Sequence, residues 1–265
     1  MRLLLKKKCR VCSRKNISYK SFLLLLRLLR FIMTISRPPR VGYCHGRGSF
    51  MRKRIRPYLF WVLLVFLAVG LVYPAIGIIA LICMIAPVAV APFRGRYWCG
   101  NYCPRGSFYD HVLVKLSPER KIPAFFSHTA FRGFTVLFIM TIFSLQMIYA
   151  WGDSEAMGRV FVQIILITTI VGIVLGMIYH QRTWCSFCPM GTLASWISRR
   201  KKPFPLAVEN SCVSCTLCMK ACPMQLAPYA AKDTDEGFIH SDCLKCNRCV
   251  ERCPKQALQF KRNEQ

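Results

Sequence analysis

The chain has 265 residues, 54% of them hydrophobic, with 38 Lys and Arg against 11 Asp and Glu, for a formal charge of +27. That is too apolar for a typical soluble domain and too charged for a chain lying wholly within a bilayer, so a mixed membrane and soluble architecture is expected. The charge is uneven, with 8 basic and 7 acidic residues over 205–265 against 30 and 4 over 1–204; beside long apolar runs such an excess marks a membrane face, and nucleic acid is not an expected partner.

Residues 1–57 carry 17 Lys and Arg and no acid. This basic segment reads as disordered, or over 22–33 as a short amphipathic helix on anionic lipid. Met51 opens Met51-Arg52-Lys53-Arg54 and is a second candidate start, which would leave residues 1–50 untranslated. Cys9-x2-Cys12 has no second cysteine pair nearby and reads as inert. The first apolar run is broken by Arg27 and Arg30 and is followed by no small-residue cleavage site, so it is not read as a secretory signal.

Residues 58–204 are expected to form a four-helix membrane domain. Residues 58–93 are 36 positions without a charge, too many for one span of about 20 residues and enough for two short ones. Gly70 and Pro74 mark the turn, which predicts helices at about 58–73 and 75–93. Residues 94–130 are polar and basic. Residues 134–151 make a third run, Trp151-Gly152-Asp153-Ser154-Glu155 a short acidic loop, and residues 160–179 a fourth run. His180, Arg182 and Arg199-Arg200-Lys201-Lys202 follow, then Pro203 and Pro205 as a linker. Basic residues lie before the first helix, between the second and third, and after the fourth. A multi-pass protein of the inner (cytoplasmic) membrane is expected, with both termini in the cytoplasm. No His lies inside the four runs, so a membrane haem is not expected; His128 and His180, at helix ends, read as interfacial.

An internal repeat follows each pair of hydrophobic segments. The first copy reads Arg96-Tyr97-Trp98-Cys99, then Cys103-Pro104-Arg105-Gly106; the second reads Arg182-Thr183-Trp184-Cys185, then Cys188-Pro189-Met190-Gly191. Two helical hairpins, each ending in a dicysteine motif on one face, are expected, related by an axis along the membrane normal. Cys99, Cys103, Cys185 and Cys188 then hold a further Fe-S centre or zinc, act as two redox-active pairs, or simply cap the hairpins. Trp98 and Trp184 suit an interfacial belt. Arg96 and Arg182 are snorkelling anchors or offset thiolate charge.

Residues 205–265 contain two four-cysteine runs. The first is Cys212-x2-Cys215-x2-Cys218-x3-Cys222-Pro223 and the second is Cys243-x2-Cys246-x2-Cys249-x3-Cys253-Pro254. A zinc site would pair two separate Cys-x2-Cys knuckles instead. The spacing resembles that of bacterial two-[4Fe-4S] ferredoxins, in which the fourth Cys of each run ligates the other cluster. On that pattern Cys212, Cys215, Cys218 and Cys253 take one cluster, and Cys243, Cys246, Cys249 and Cys222 the other. The resemblance implies low-potential one-electron transfer and a small βαββαβ fold, which reducing conditions place on the cytoplasmic side. Lys245, Arg248 and Arg252 flank the ligands and read as a solvated face or as a means of favouring the reduced cluster.

The two dicysteine motifs, followed by a two-cluster ferredoxin, also resemble a membrane iron–sulfur family over about residues 52–258. That family includes the quinol-oxidising membrane subunit of periplasmic nitrate reductase (NapH-type) and the C-terminal part of the nitrous-oxide-reductase accessory protein (NosR-type). This chain departs in a second motif one residue shorter and in having no large flavin-binding domain. Flavin is not expected, and no nucleotide loop or catalytic constellation is found. The fold class expected is thus membrane all-α, four transmembrane helices as two hairpin repeats, plus a small α+β two-cluster ferredoxin-like domain. The function expected is electron transport between a cytoplasmic donor or acceptor and a quinone or a membrane or periplasmic redox partner, without a substrate site of the chain's own. The alternative is an assembly or maturation factor that reduces a metal ion or a partner disulfide.

Overall fold

The computed structural model describes residues 56–201, 205–232, 234 and 236–260. The expectations for the basic segment, for Met51 and for Cys9 and Cys12 lie outside the described residues.

The first element is an apolar helix, α1 (Leu59–Val72), which stops at Tyr73 and Pro74. Proline has no N–H to continue a helix but starts one well, and a 3-10 turn, Pro74–Ile79, leads into α2 (Ala80–Arg94). Then come α3 (Tyr97–Asn101), α4 (Pro104–His111), α5 (Ala124–Ser127), α6 (Thr129–Tyr149), α7 (Ser154–Ile178), α8 (Thr183–Phe187) and α9 (Pro189–Lys201). Among the described residues, three helical stretches are long and apolar enough to cross a bilayer: Pro74–Arg94, Thr129–Tyr149 and Ser154–Ile178. Helix α1, at 14 residues, is shorter than that range. These stretches point to a membrane-associated protein.

Two helices start earlier than the hydropathy predicts. Helix α6 opens at Thr129 because the charge in its first turn is neutralised: Arg132 is buried and pairs with Asp242. Helix α7 opens at Ser154 because the Asp153 carboxylate accepts a hydrogen bond from the Glu155 N–H at 2.9 Å, capping the helix. Ser154 and Glu155 are therefore helical, not part of the loop, and Glu155 suits the positive end of the helix dipole.

Helix α7 packs tightly on the turn before α2. A Cβ on Gly77 would strike the Gly158 carbonyl, and one on Gly158 would strike that of Pro74. Small residues permit such backbone approach between helices in lipid. Gly158→Leu is expected to lower the thermal unfolding midpoint in detergent, at a cost above the usual ~1–3 kcal/mol of overpacking, because backbone atoms cannot rotate aside. Gly133 on α6 faces open space, so Gly133→Ala is the control and is expected to be neutral or stabilising. Equal losses in both variants would refute this contact.

The membrane-domain core gathers Phe60 and Leu63 of α1, Phe108, Tyr109 and Val112 around α4, and Trp184 and Phe187 of α8. It lies directly against Cys185 and Cys188. Trp184, 4% exposed, belongs to this core and not to an interfacial belt. His180 is likewise buried, its Nδ1 accepting from the Arg182 N–H at 3.3 Å, so the interfacial reading of this residue is corrected.

In the cysteine-rich head, β1 (Leu206–Val208) pairs antiparallel with β2 (Leu258–Phe260), Leu206 opposite Phe260. Two one-turn helices, α10 (Leu217–Lys220) and α11 (Arg248–Arg252), lie between them. The two inner strands that the βαββαβ resemblance implies are represented among the described residues by one bridge, Leu206 to Phe238. The segment between the 3-10 turn Pro228–Ala231 and Phe238 is too short for a hairpin of full strands.

Candidate metal centres

The two cysteine runs of the head fold alike. Ser214 and Thr216 adopt left-handed φ of 51° and 61°, and Lys245 and Asn247, at the corresponding places of the second run, adopt 51° and 64°. Gln225 and Gln256 repeat the match at 55° and 52°. Such residues curl a loop so that successive N–H groups face one side, a favourable cradle for negative charge. Backbone N–H groups reach sulfur in both runs: those of Met219 and Tyr229 reach Cys218, those of Met224 and Leu226 reach Cys222, and that of Lys245 reaches Cys243.

Two cavities result. Cys212, Cys215, Cys218 and Cys253 line one, with about 340 Å³ of empty space that is partly open to solvent. Cys222, Cys243, Cys246 and Cys249 line the other, with about 370 Å³ of empty space that is likewise partly open to solvent. In each, the fourth cysteine comes from the opposite run. Burial pushes the Cys218, Cys222, Cys243 and Cys249 thiols up, Cys222 to about 11, so these four ionise at neutral pH only when a cation takes them. Among the described residues no three of His, Cys, Asp and Glu converge closely enough to share one metal ion. A cubane spreads its thiolates over four irons and needs a wider cage, which these four-sulfur cavities with inward N–H donors fit.

The dicysteine motifs interlock. Arg96 of the first copy runs over Gly191 of the second and donates from Nη2 to the Cys185 carbonyl at 2.6 Å. Arg182 of the second copy runs over Gly106 of the first and donates from Nη1 to the Cys99 carbonyl at 3.5 Å and to the Cys185 sulfur at 3.5 Å. Any side chain at either glycine would displace the guanidinium. Both arginines are 1% exposed, which rules out snorkelling. Cys99 is within electrostatic reach of Cys185 and Cys188, and Cys103 of Cys99 and Cys185. Burial raises the Cys103 thiol to about 12.

Two carboxylates fasten this layer to the head. Asp242, directly before Cys243, accepts from Arg96 at 2.9 Å, from Arg132 at 3.0 and 2.8 Å, and from Ser195 at 2.9 Å. Burial opposes its charge, but Arg96, Arg132 and Ser195 together hold its carboxyl down to about 2. Asp110 accepts from Arg182 at 2.8 and 2.7 Å and from Arg248, directly before Cys249, at 2.7 Å. Lys245 is buried, and with Arg248 it forms part of the junction; of the three basic residues flanking the ligands, only Arg252 is exposed. Between the clamps, Gly100 meets Leu244 so closely that a Cβ would strike its carbonyl, and Asn101 donates to the Lys245 carbonyl at 3.3 Å. Gln225 bridges the head to the loop before α5, accepting from the Ile122 N–H and donating to the Arg120 carbonyl, both at 2.9 Å.

Asp110, Asp242, Arg132, Gly100 and Gln225 were not singled out by the cysteine pattern. A signal existed for Asp110, the first acid of the chain and one of only 4 before residue 205. For Asp242 the only signal was its place beside the first cysteine of the second run.

A 4Fe-4S binding domain model matches in two pieces, residues 76–123 and 162–206, each containing one dicysteine motif. A 4Fe-4S dicluster domain model matches residues 211–258. The chain is thus an iron–sulfur, metal-binding protein with ferredoxin-type 4Fe-4S domains, a class that transfers electrons. It is similar to two uncharacterized proteins of Methanocaldococcus jannaschii. It is 30% identical to MJ0749 over 150 residues, 55% of this chain and 58% of the relative. It is 27% identical to MJ0750 over 162 residues, 54% of this chain and 65% of the relative. The chain therefore spans less than two thirds of either relative's length. No solved structure matches.

Proposed function

We propose that this is an integral membrane electron carrier of the NapH/NosR type, its ferredoxin head (205–265) held in the cytoplasm beneath a membrane domain (58–204) of two hairpins in the inner membrane. The head holds two [4Fe-4S] clusters, one on Cys212, Cys215, Cys218 and Cys253, the other on Cys243, Cys246, Cys249 and Cys222. Cys99, Cys103, Cys185 and Cys188 hold a further iron–sulfur centre. Such clusters supply one-electron transfer at potentials set by charge, burial and hydrogen bonds to sulfur. The donor or acceptor is a soluble cytoplasmic partner on one side and a quinone or a membrane redox protein on the other.

The observation that carries this reading is the junction. Leu244, between two cluster ligands, sits in backbone contact with Gly100, between the two cysteines of the first motif. That contact supports a close approach of the second head site to the dicysteine motifs. Charge supports the further centre. Among the described residues, four guanidiniums, Arg96, Arg132, Arg182 and Arg248, pair with two carboxylates, Asp110 and Asp242, an excess of two positive charges. Four thiolates around a [4Fe-4S]2+ core carry two negative charges, which this excess offsets.

The test is a potentiometric titration of purified protein, followed by EPR, together with thiol trapping at each redox state. Low-potential signals are expected, with Cys99, Cys103, Cys185 and Cys188 protected from alkylation whether the protein is oxidised or reduced. Trapping that switches on with reduction would favour the maturation reading, in which these thiols reduce a metal ion or a partner disulfide.

A further inference from the structure

A cavity of about 670 Å³ lies between the head and the membrane domain, separate from the two cysteine-lined sites. Thr129 and Arg132 of α6 and Ser198 and Arg199 of α9 line one side of it; His240 and Ser241 of the head line the other. Asp242 also lines it, but its charge is taken up by Arg96 and Arg132. Arg199 is exposed and makes no hydrogen bond or ion pair among the described residues, so the cavity carries an uncompensated positive charge.

Two further features favour an anion there. Helix α6 begins at this wall, and its N-cap residue His128 makes no side-chain cap, so the first N–H groups of a 21-residue helix lack that partner. Ser198, 5% exposed, brings a hydroxyl to the same wall. Thr129 is also the first residue of a candidate span, which sets the cavity at headgroup depth.

We propose that this cavity binds a phosphate group, with Arg199 as its principal charge partner and the α6 N-terminus and the hydroxyls completing the site. Basic pockets at the ends of membrane helices take anionic lipid headgroups in this way, and a free phosphate offers the same oxygens. The inference goes beyond electron transfer and does not depend on which cysteines hold iron.

The test uses the full chain in phosphatidylcholine nanodiscs. Short-chain phosphatidylglycerol is titrated with native mass spectrometry as the readout, and labelled inorganic phosphate by equilibrium dialysis. One saturable anion per chain is expected. Arg199→Gln should weaken it roughly tenfold or more, the value of one charged hydrogen bond. Arg200→Gln, on a neighbouring residue that does not line the cavity, should leave it unchanged. Saturation by phosphatidylglycerol alone assigns a lipid source, and by inorganic phosphate a soluble one. Binding of neither by the unsubstituted protein, or equal weakening by the two substitutions, overturns the proposal.

Discussion

Replacing Asp242 by Ala is expected to detach the head from the membrane domain while leaving iron in the head. Asp242 is no ligand, yet it takes hydrogen bonds from α6, from α9 and from the residue that opens the first dicysteine motif. Without it, Arg96 and Arg132 stay buried and unpaired. Removing one partner of a buried ion pair costs about 3–5 kcal/mol. The remaining contacts include the Asp110 pair with Arg248, itself 29% exposed, the Gln225 bridge, the Asn101 bond to the Lys245 carbonyl and the Gly100–Leu244 packing, none of them a fully buried ion pair. These do not make up such a loss. Hydrogen exchange in Asp242→Ala should rise over 97–103 and 242–247 together, with iron content unchanged. Exchange confined to 242–247 would mean that the carboxylate orders its own loop and does not clamp the junction.

The second large effect concerns the crossed ligands. Cys222 shares a cavity with Cys243, Cys246 and Cys249, and Cys253 one with Cys212, Cys215 and Cys218. Cys222→Ser should therefore abolish the same EPR signal as Cys246→Ser, and Cys253→Ser the same signal as Cys212→Ser. Each change removes about four irons. The effect is all-or-none because a cubane missing one thiolate exposes an iron to water and oxygen. Were Cys222→Ser to match Cys215→Ser instead, each run would hold its own cluster and the crossing would be wrong.

What the sequence made legible follows the length scale of the interaction. The cysteine runs are local patterns, and the residues lining the two cavities are grouped as in the ferredoxin resemblance. The apolar runs are local too, and each hydrophobic segment became a helix. Helix starts were less legible because a charge such as Arg132 stops a hydropathy window, while a partner 110 positions away lets the helix continue. The interlocked arginines were legible as a repeat but not as a structure. Nothing in Arg-x-Trp-Cys says that each guanidinium lies over the glycine of the other copy, since that follows from how the two copies meet. The junction was the least legible part. A lone Asp before a cysteine, or a Gly between two cysteines, has meaning only once α3 and the Leu244 loop are in contact.

The most direct test of a relay through three centres is iron and acid-labile sulfide per chain in anaerobically purified full-length protein. About twelve of each are expected, falling to about eight when Cys99 and Cys185 are both replaced by Ser. About eight in both proteins would confine iron to the head and contradict the role given to the membrane-face cysteines.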